Sequence, residues 1–190
     1  MLYLVCGKDA YRVKERLEEI KKEWFEKETS LSVFEFSEDK FSPEEFENLV
    51  KGRSLIHSNF LVLLSGVLED KENENFILPL IGLMGSSPDV FVFCEESLAN
   101  EAAEDFKRAG AKIEKFELMR GEKLRNWVYS EAKKRKLKLS PEQSFALLNQ
   151  FGGETRAIAK TLDQLSLGYI DGLSAKESVN LFHFVDAVLE

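Results

Sequence analysis

Five short apolar runs alternate with stretches of helical periodicity over the first two thirds of the chain, and this alternation constrains the fold more than any other feature of the sequence. Residues 2–6 (LYLVC) read as a buried strand, and Val13, Leu17, Ile20 and Trp24 then recur at helical spacing among Lys and Glu. Residues 32–36 alternate as a strand. Ser42, Pro43 and Glu45 supply an N-cap, a first-turn proline and a capping-box partner for a helix reaching about Lys51. Further strands are expected at 59–67, 90–94 and 111–116, with helices at 71–84 and about 100–109 between them. Strands joined through helices pair in parallel with right-handed crossovers, so the expected fold class is α/β, a three-layer parallel sheet domain.

From Gly121 the strand pattern stops. Leu124, Trp127, Val128 and Ala132 share one helical face, Ser140 and Pro141 open a second helix running to Phe151, and Gly152 and Gly153 interrupt before a third from about Glu154 to Leu167. The expected organisation is a sheet domain over 1–119, a small all-helical domain over 120–182, and the start of a further helical domain over 183–190. Phe184, Val185, Val188 and Leu189 begin an apolar face that meets no stop signal, so more chain is expected beyond it.

With 190 residues and 44% hydrophobic composition, the chain can fill a real core. No apolar run approaches the roughly 20 residues of a membrane-spanning helix, and no secretory leader is visible, which makes a cytoplasmic protein without membrane contact the expectation. Cys6 and Cys94, each within an apolar run, are expected to be reduced and structural. The net charge of −8 argues against a chain that binds nucleic acid over its whole surface. Charge is unevenly placed, however: Arg120 to Lys138 holds eight basic residues against Glu122 and Glu131. Lys133, Lys134, Arg135 and Lys136 are therefore the candidate DNA-facing group, against the commoner alternative of a solvated helix end.

A sheet domain followed by a helical lid invites a nucleotide-hydrolase reading, which the first strand-to-helix turn opposes. A phosphate-binding loop needs glycines whose amides cradle phosphate, then Lys and Ser or Thr at fixed offsets. Counting from Gly7, the residues at those offsets are Arg12, Val13 and Lys14. The third strand ends in Ser65 and Gly66, where a magnesium-coordinating acid would be required. His57 and His183 lack metal-site spacing, and Glu95 and Glu96 at a strand end read as a solvated loop. No catalytic residue, metal or cofactor is expected.

Five stretches in order, Leu2 to Tyr11, Ser54 to Leu64, Leu124 to Ala132 with its Trp127, Gly153 to Leu167 and Phe182 to Leu189, resemble the delta-subunit family of the bacterial clamp loader of DNA polymerase III. The resemblance implies an AAA+-like α/β domain with a degenerate nucleotide loop, followed by a helical lid domain. It implies an accessory subunit of the DNA-directed DNA polymerase III holoenzyme that binds and opens the sliding clamp without hydrolysing ATP. Its other partners would be the remaining clamp-loader subunits, met mainly through a further C-terminal domain, and primed DNA indirectly. Ser54, Leu55 and Ile56 fall on the family's clamp-binding element, with Lys51 where a glutamine is common and Ile56 where an aromatic is. Buried in a partner's pocket, Leu55 and Ile56 would each contribute about 1.5 to 3 kcal/mol, short of the roughly 8 kcal/mol of a micromolar complex, so neighbouring contacts must help. The same two residues could instead close the preceding helix as core. The alternatives are a divergent α/β nucleotide hydrolase and an AAA+-like structural module without clamp binding. Arg156 lies near the nucleotide-sensing arginine of active lids and is expected to be a plain exposed helix residue.

Overall fold

The structure, a computed structural model, describes residues 1–27, 32–52 and 59–168. Two compact units divide the chain, Met1–Glu117 and Leu118–Glu190.

The first unit holds five strands, β1 (Leu2–Cys6), β2 (Ser32–Ser37), β3 (Phe60–Ser65), β4 (Val90–Glu95) and β5 (Lys112–Lys115), in the order β2-β3-β4-β1-β5 with every pairing parallel. Between them run α1 (Ala10–Phe25), α2 (Pro43–Lys51), α3 (Lys71–Ile77), α4 (Ile81–Ser86) and α5 (Asn100–Arg108). The handedness rule places these helices. Only the β1-to-β2 connection travels toward the β2 edge; every later crossover travels back, so α1 alone lies on one face and the others on the opposite face.

Side chains confirm this by alternation. Tyr3, Val5, Leu61, Leu63, Val90, Val92 and Cys94 form one core cluster with Val13, Leu17, Ile20 and Trp24 of α1. Leu2, Leu4, Cys6, Val62, Leu64, Phe91 and Phe93 form the other, with Phe46, Ile77, Ile81, Met84 and Phe106 from the remaining helices. Aromatic packing is dense on the second face: Phe46 meets Phe36 at 5.7 Å and Phe91 at 6.5 Å between ring centroids, both edge-on.

Local signals explain most boundaries. Ser42 Oγ accepts from the Glu45 amide at 3.4 Å, and Pro43 occupies the first turn of α2. A single helix over 71–84, expected from the sequence, is instead broken. Pro79 has no amide to donate, so a 3-10 turn at Leu78–Leu80 separates α3 from α4.

The second unit packs α6 (Gly121–Lys134), α7 (Pro141–Phe151) and α8 (Thr155–Ser166) around Leu124, Val128, Ala132, Leu147, Ile158 and Leu162. A full capping box opens α7: Ser140 Oγ accepts from the Gln143 amide at 3.2 Å, and Gln143 Oε1 accepts from the Ser140 amide at 2.9 Å. Helix α6 ends in a Schellman motif, with the Leu137 amide donating to Ala132 O at 2.9 Å and the Lys136 amide to Lys133 O at 3.0 Å. Lys136 holds the left-handed position of that motif, at φ 59°.

Candidate functional site

Adjacent parallel strands whose exits lead to opposite faces leave a crevice at their carboxyl ends, the usual ligand position in an open α/β sheet. Here those strands are β1 and β4. The chain leaves β1 at Gly7 toward α1 and leaves β4 at Glu95 toward α5. A cleft of about 880 Å³ opens beside them, with Val13, Leu17, Leu63 and Cys94 among its apolar lining and Lys8, Lys14, Lys40, Glu95 and Glu96 among its charged lining. One side is strapped by Lys21, whose Nζ lies 3.2 Å from Glu35 of β2 and 3.3 Å from Glu18 of its own helix.

The turn from β1 into α1 is where a phosphate loop would have to lie, and its groups are bound internally. The Gly7 amide donates to Glu95 O and the Asp9 amide to Phe116 O, both at 3.0 Å. Gly7 adopts φ 137°, and a Cβ there would lie 2.3 Å from Phe116 O, so the turn is pressed onto the end of β5. A helix amino terminus favours an anion, and α1 supplies its own. Asp9 is 2% exposed, its Oδ1 accepts from the Arg12 amide at 3.2 Å, and its Oδ2 lies 3.6 Å from the Arg12 guanidinium. That guanidinium also rests over the Phe116 ring, 4.9 Å from its centroid.

Glu95 departs from the solvated-loop reading. Glu96 is exposed, but Glu95 is the last residue of β4 and only 2% exposed. Strand alternation sends it to the face opposite Cys94. Its Oε1 accepts from the Leu68 amide at 3.4 Å, and its Oε2 is buried without a hydrogen-bond partner. Burial pushes the carboxyl up to about 8 against the pull of the Leu68 and Val67 amides, and the charges of Glu69 and Glu38 push the same way. Sequence reasoning also passed over Asp9, although an Asp immediately before a periodic helix is a readable N-cap signal.

Both cysteines are free and buried. Burial pushes the Cys94 thiol up to about 12 and raises that of Cys6. Among the described residues no group of three or more His, Cys, Asp and Glu side chains could hold a metal ion, and no helix is long and apolar enough to cross a membrane.

Ser54, Leu55 and Ile56, with Arg53 and His57 beside them, lie outside the described residues, as do His183 and the expected third domain at 183–190. The four basic candidates in the helical unit are unlike one another. Lys133, Lys134 and Lys136 are exposed, whereas the Arg135 side chain is 14% exposed and engaged with carboxylates of its own unit. Glu131, buried on α6, lies 2.6 Å from both Lys134 Nζ and Arg135 Nη1. Arg156 is exposed on α8, as expected.

No protein-family profile matches the sequence, and no curated protein matches it either. Solved structures do match. The Bacillus subtilis DNA clamp loader delta protein superposes with a TM-score of 0.62 at 16% identity, covering 90% of this chain and 54% of that one. The Thermotoga maritima RuvB Holliday junction branch migration motor follows at 0.56 and 10% identity, over 96% of this chain and 61% of its own. Domain III of the Thermotoga maritima replication initiation protein DnaA gives 0.53 at 13% identity, covering 94% and 82%. The chain thus spans about half the length of the clamp loader protein that it resembles. At these identities the likeness is one of fold, and the fold is AAA+-like: a five-stranded parallel sheet unit followed by a helical unit.

Proposed function

We propose that this chain is a clamp-loader delta-like subunit that binds and opens a sliding clamp during DNA replication without hydrolysing ATP. The reading is carried by one observation: an AAA+-like fold whose phosphate-loop position is filled by the protein's own groups. The Gly7 and Asp9 amides are bonded to Glu95 O and Phe116 O, and the Asp9 carboxylate sits where an anion would be held. Val13 and Lys14 stand at the offsets where a phosphate loop carries Lys and then Ser or Thr, and Ser65 ends β3 where a magnesium-coordinating acid would be required, which favours a reading without ATP hydrolysis. The clamp loader delta protein among the structural matches supports the choice within the fold.

Clamp binding is assigned to Ser54, Leu55 and Ile56, in the segment between α2 and β3, with the adjacent apolar pair entering a pocket on the partner. Lys133, Lys134 and Lys136 remain the candidates for DNA contact; Arg135 serves the helical unit itself. Other loader subunits would complete the assembly.

Calorimetric titration against the purified sliding clamp of the same source, beside the Leu55→Ala, Ile56→Ala double variant, tests the reading. Saturable binding by the wild type, weakened at least about a hundredfold in the double variant, is the expected result. Retained binding in the variant moves the site elsewhere. Micromolar binding of ATP with magnesium would favour the rival reading of a divergent nucleotide hydrolase; partners bound equally well by wild type and double variant would favour a structural AAA+-like module.

A further inference from the structure

Most lysines of the sheet unit are engaged, each paired with a carboxylate or lying over an aromatic ring. Among the described residues of that unit, only Lys8, Lys14, Lys40 and Lys115 have side chains without such a contact, and all of these but Lys115 line the cleft at the carboxyl ends of the strands. Lys8, Lys14 and Lys40 are exposed there. The surface between them is apolar: Leu63 of β3 and Cys94 of β4 contribute to it, and Val13 and Leu17 of α1 are only half-buried. Of the carboxylates along the same lining, Glu18 and Glu35 hold Lys21, and the Glu95 side chain turns to the other face of the sheet, where the Leu68 amide bonds it. Glu96 is the one left without a cation. In a chain of net charge −8, the cleft thus gathers unneutralised lysines around apolar surface, a combination that attracts acidic ligands.

We propose that this cleft docks an extended segment of a partner protein that carries two acidic side chains about four residues apart with an apolar side chain between them. Strand order sets that spacing. Lys8 follows β1 and Lys40 follows β2, with β4 and β3 between those strands, so the two exits lie three interstrand spacings apart, about 14 Å. One carboxylate does not bridge such a span, whereas an extended chain rising about 3.3 Å per residue crosses it in about four residues. Alternation then turns the first, third and fifth side chains of the segment to one side. The outer two meet Lys8 and Lys40, with Lys14 of α1 as a third cation, and the middle one lies on Val13, Leu17 and Leu63. A free phosphate fits less well, because the Gly7 and Asp9 amides that would converge on it are bonded within the unit.

The assignment stands apart from the clamp reading, since it uses none of the residues given that role. With the full chain labelled with nitrogen-15, the blocked peptide acetyl-Glu-Ser-Leu-Ser-Glu-amide is expected to shift the amide resonances of Leu17 and Ser65 saturably, with an affinity that falls as salt is added. Exchanging both acids of the peptide for Gln, or its Leu for Ser, should each weaken binding at least about fivefold. The triple variant Lys8→Gln, Lys14→Gln, Lys40→Gln should weaken the parent peptide about tenfold, while Lys115→Gln, at the unpaired lysine outside the cleft, leaves the affinity unchanged. If the triple variant folds poorly, the exchanges made in the peptide still decide the matter. Absence of a saturable shift with the acidic peptide, equal binding of acetyl-Lys-Ser-Leu-Ser-Lys-amide, or an affinity unaltered in the triple variant overturns the proposal. A saturable shift of the same amides by inorganic phosphate or by ATP with magnesium, in the peptide's place, overturns it as well and returns the cleft to free anions.

Discussion

The amide of Asp9 donates to the carbonyl of Phe116 at 3.0 Å, tying the turn after β1 to the end of β5. A phosphate loop works by leaving such amides free to converge on a ligand. In this chain the convergence is spent within the sheet unit, and the adjoining Gly7 is held against the same carbonyl. The conformation at Gly7 is one that side chains rarely adopt, so Gly7→Ala should lower stability by at least about 1 to 3 kcal/mol, read from urea unfolding. An unchanged unfolding midpoint would contradict the packed turn described above.

Glu95 makes stability depend on pH in a direction opposite to that of an ordinary salt-bridged carboxylate. Its folded carboxyl titrates near 8 against 4.5 for a free side chain, so the folded state holds the proton more tightly. The stabilisation this gives is complete below about 4.5 and is lost as pH rises through about 8. The wild type should therefore weaken between those limits by something on the order of a few kcal/mol, and Glu95→Gln should flatten that part of the curve. Chemical denaturation at pH 5, 7 and 9 separates the two proteins; parallel curves would mean that Glu95 titrates normally.

Arg135 bridges two helices of the second unit, with Nη1 2.6 Å from Glu131 on α6 and Nε 2.7 Å from Asp163 on α8. Glu131 is buried, and losing Arg135 leaves it to Lys134 alone. Arg135→Ala should cost roughly 3 kcal/mol, while Lys133→Ala, exposed and at no such junction, should stay within about 0.5 kcal/mol. If the basic stretch touches DNA, the salt dependence of binding will change with Lys133 and Lys136, and Arg135→Ala will act through stability instead.

Lys136 occupies the left-handed residue of the Schellman motif that ends α6, a position where glycine carries no Cβ penalty. Lys136→Gly should stabilise the protein by about 0.5 to 1 kcal/mol, raising its thermal midpoint by a few degrees. The equivalent position after α5 already carries Gly110, at φ 77°.

Neither thiol should react with Ellman's reagent at pH 8 in the folded protein. Burial raises both cysteines, Cys94 to about 12, and the thiolate is the reactive form. Two equivalents should appear only on unfolding, and rapid reaction of the native protein would show that the sheet core at β1 and β4 opens easily.

The strands and helices were legible because their signals are local. The run LYLVC is β1 residue for residue, and Ser42 and Ser140 cap the helices that they were expected to open. The break at Pro79 was legible too, in a proline with no amide to give, but the apolar periodicity on both sides carried a single helix across it. Leu55 and Ile56 were singled out by resemblance to a family, and the described residues do not include them.

What the sequence determined by itself, then, was the element order, and through the handedness of parallel crossovers the three-layer arrangement, since periodicity and capping act over a few residues. Which groups meet at the carboxyl ends of β1, β4 and β5 was decided only by the tertiary structure. Glu95 is written beside Glu96 as one acidic pair, yet strand alternation and the turn after β3 bury the first and leave the second in water. Gly7 and Asp9 become a closed turn only because β5, from the far end of the unit's chain, pairs with β1 and brings the Phe116 carbonyl against them. Burial and partnership at such a rim depend on contacts distant in sequence, and no local pattern encodes them.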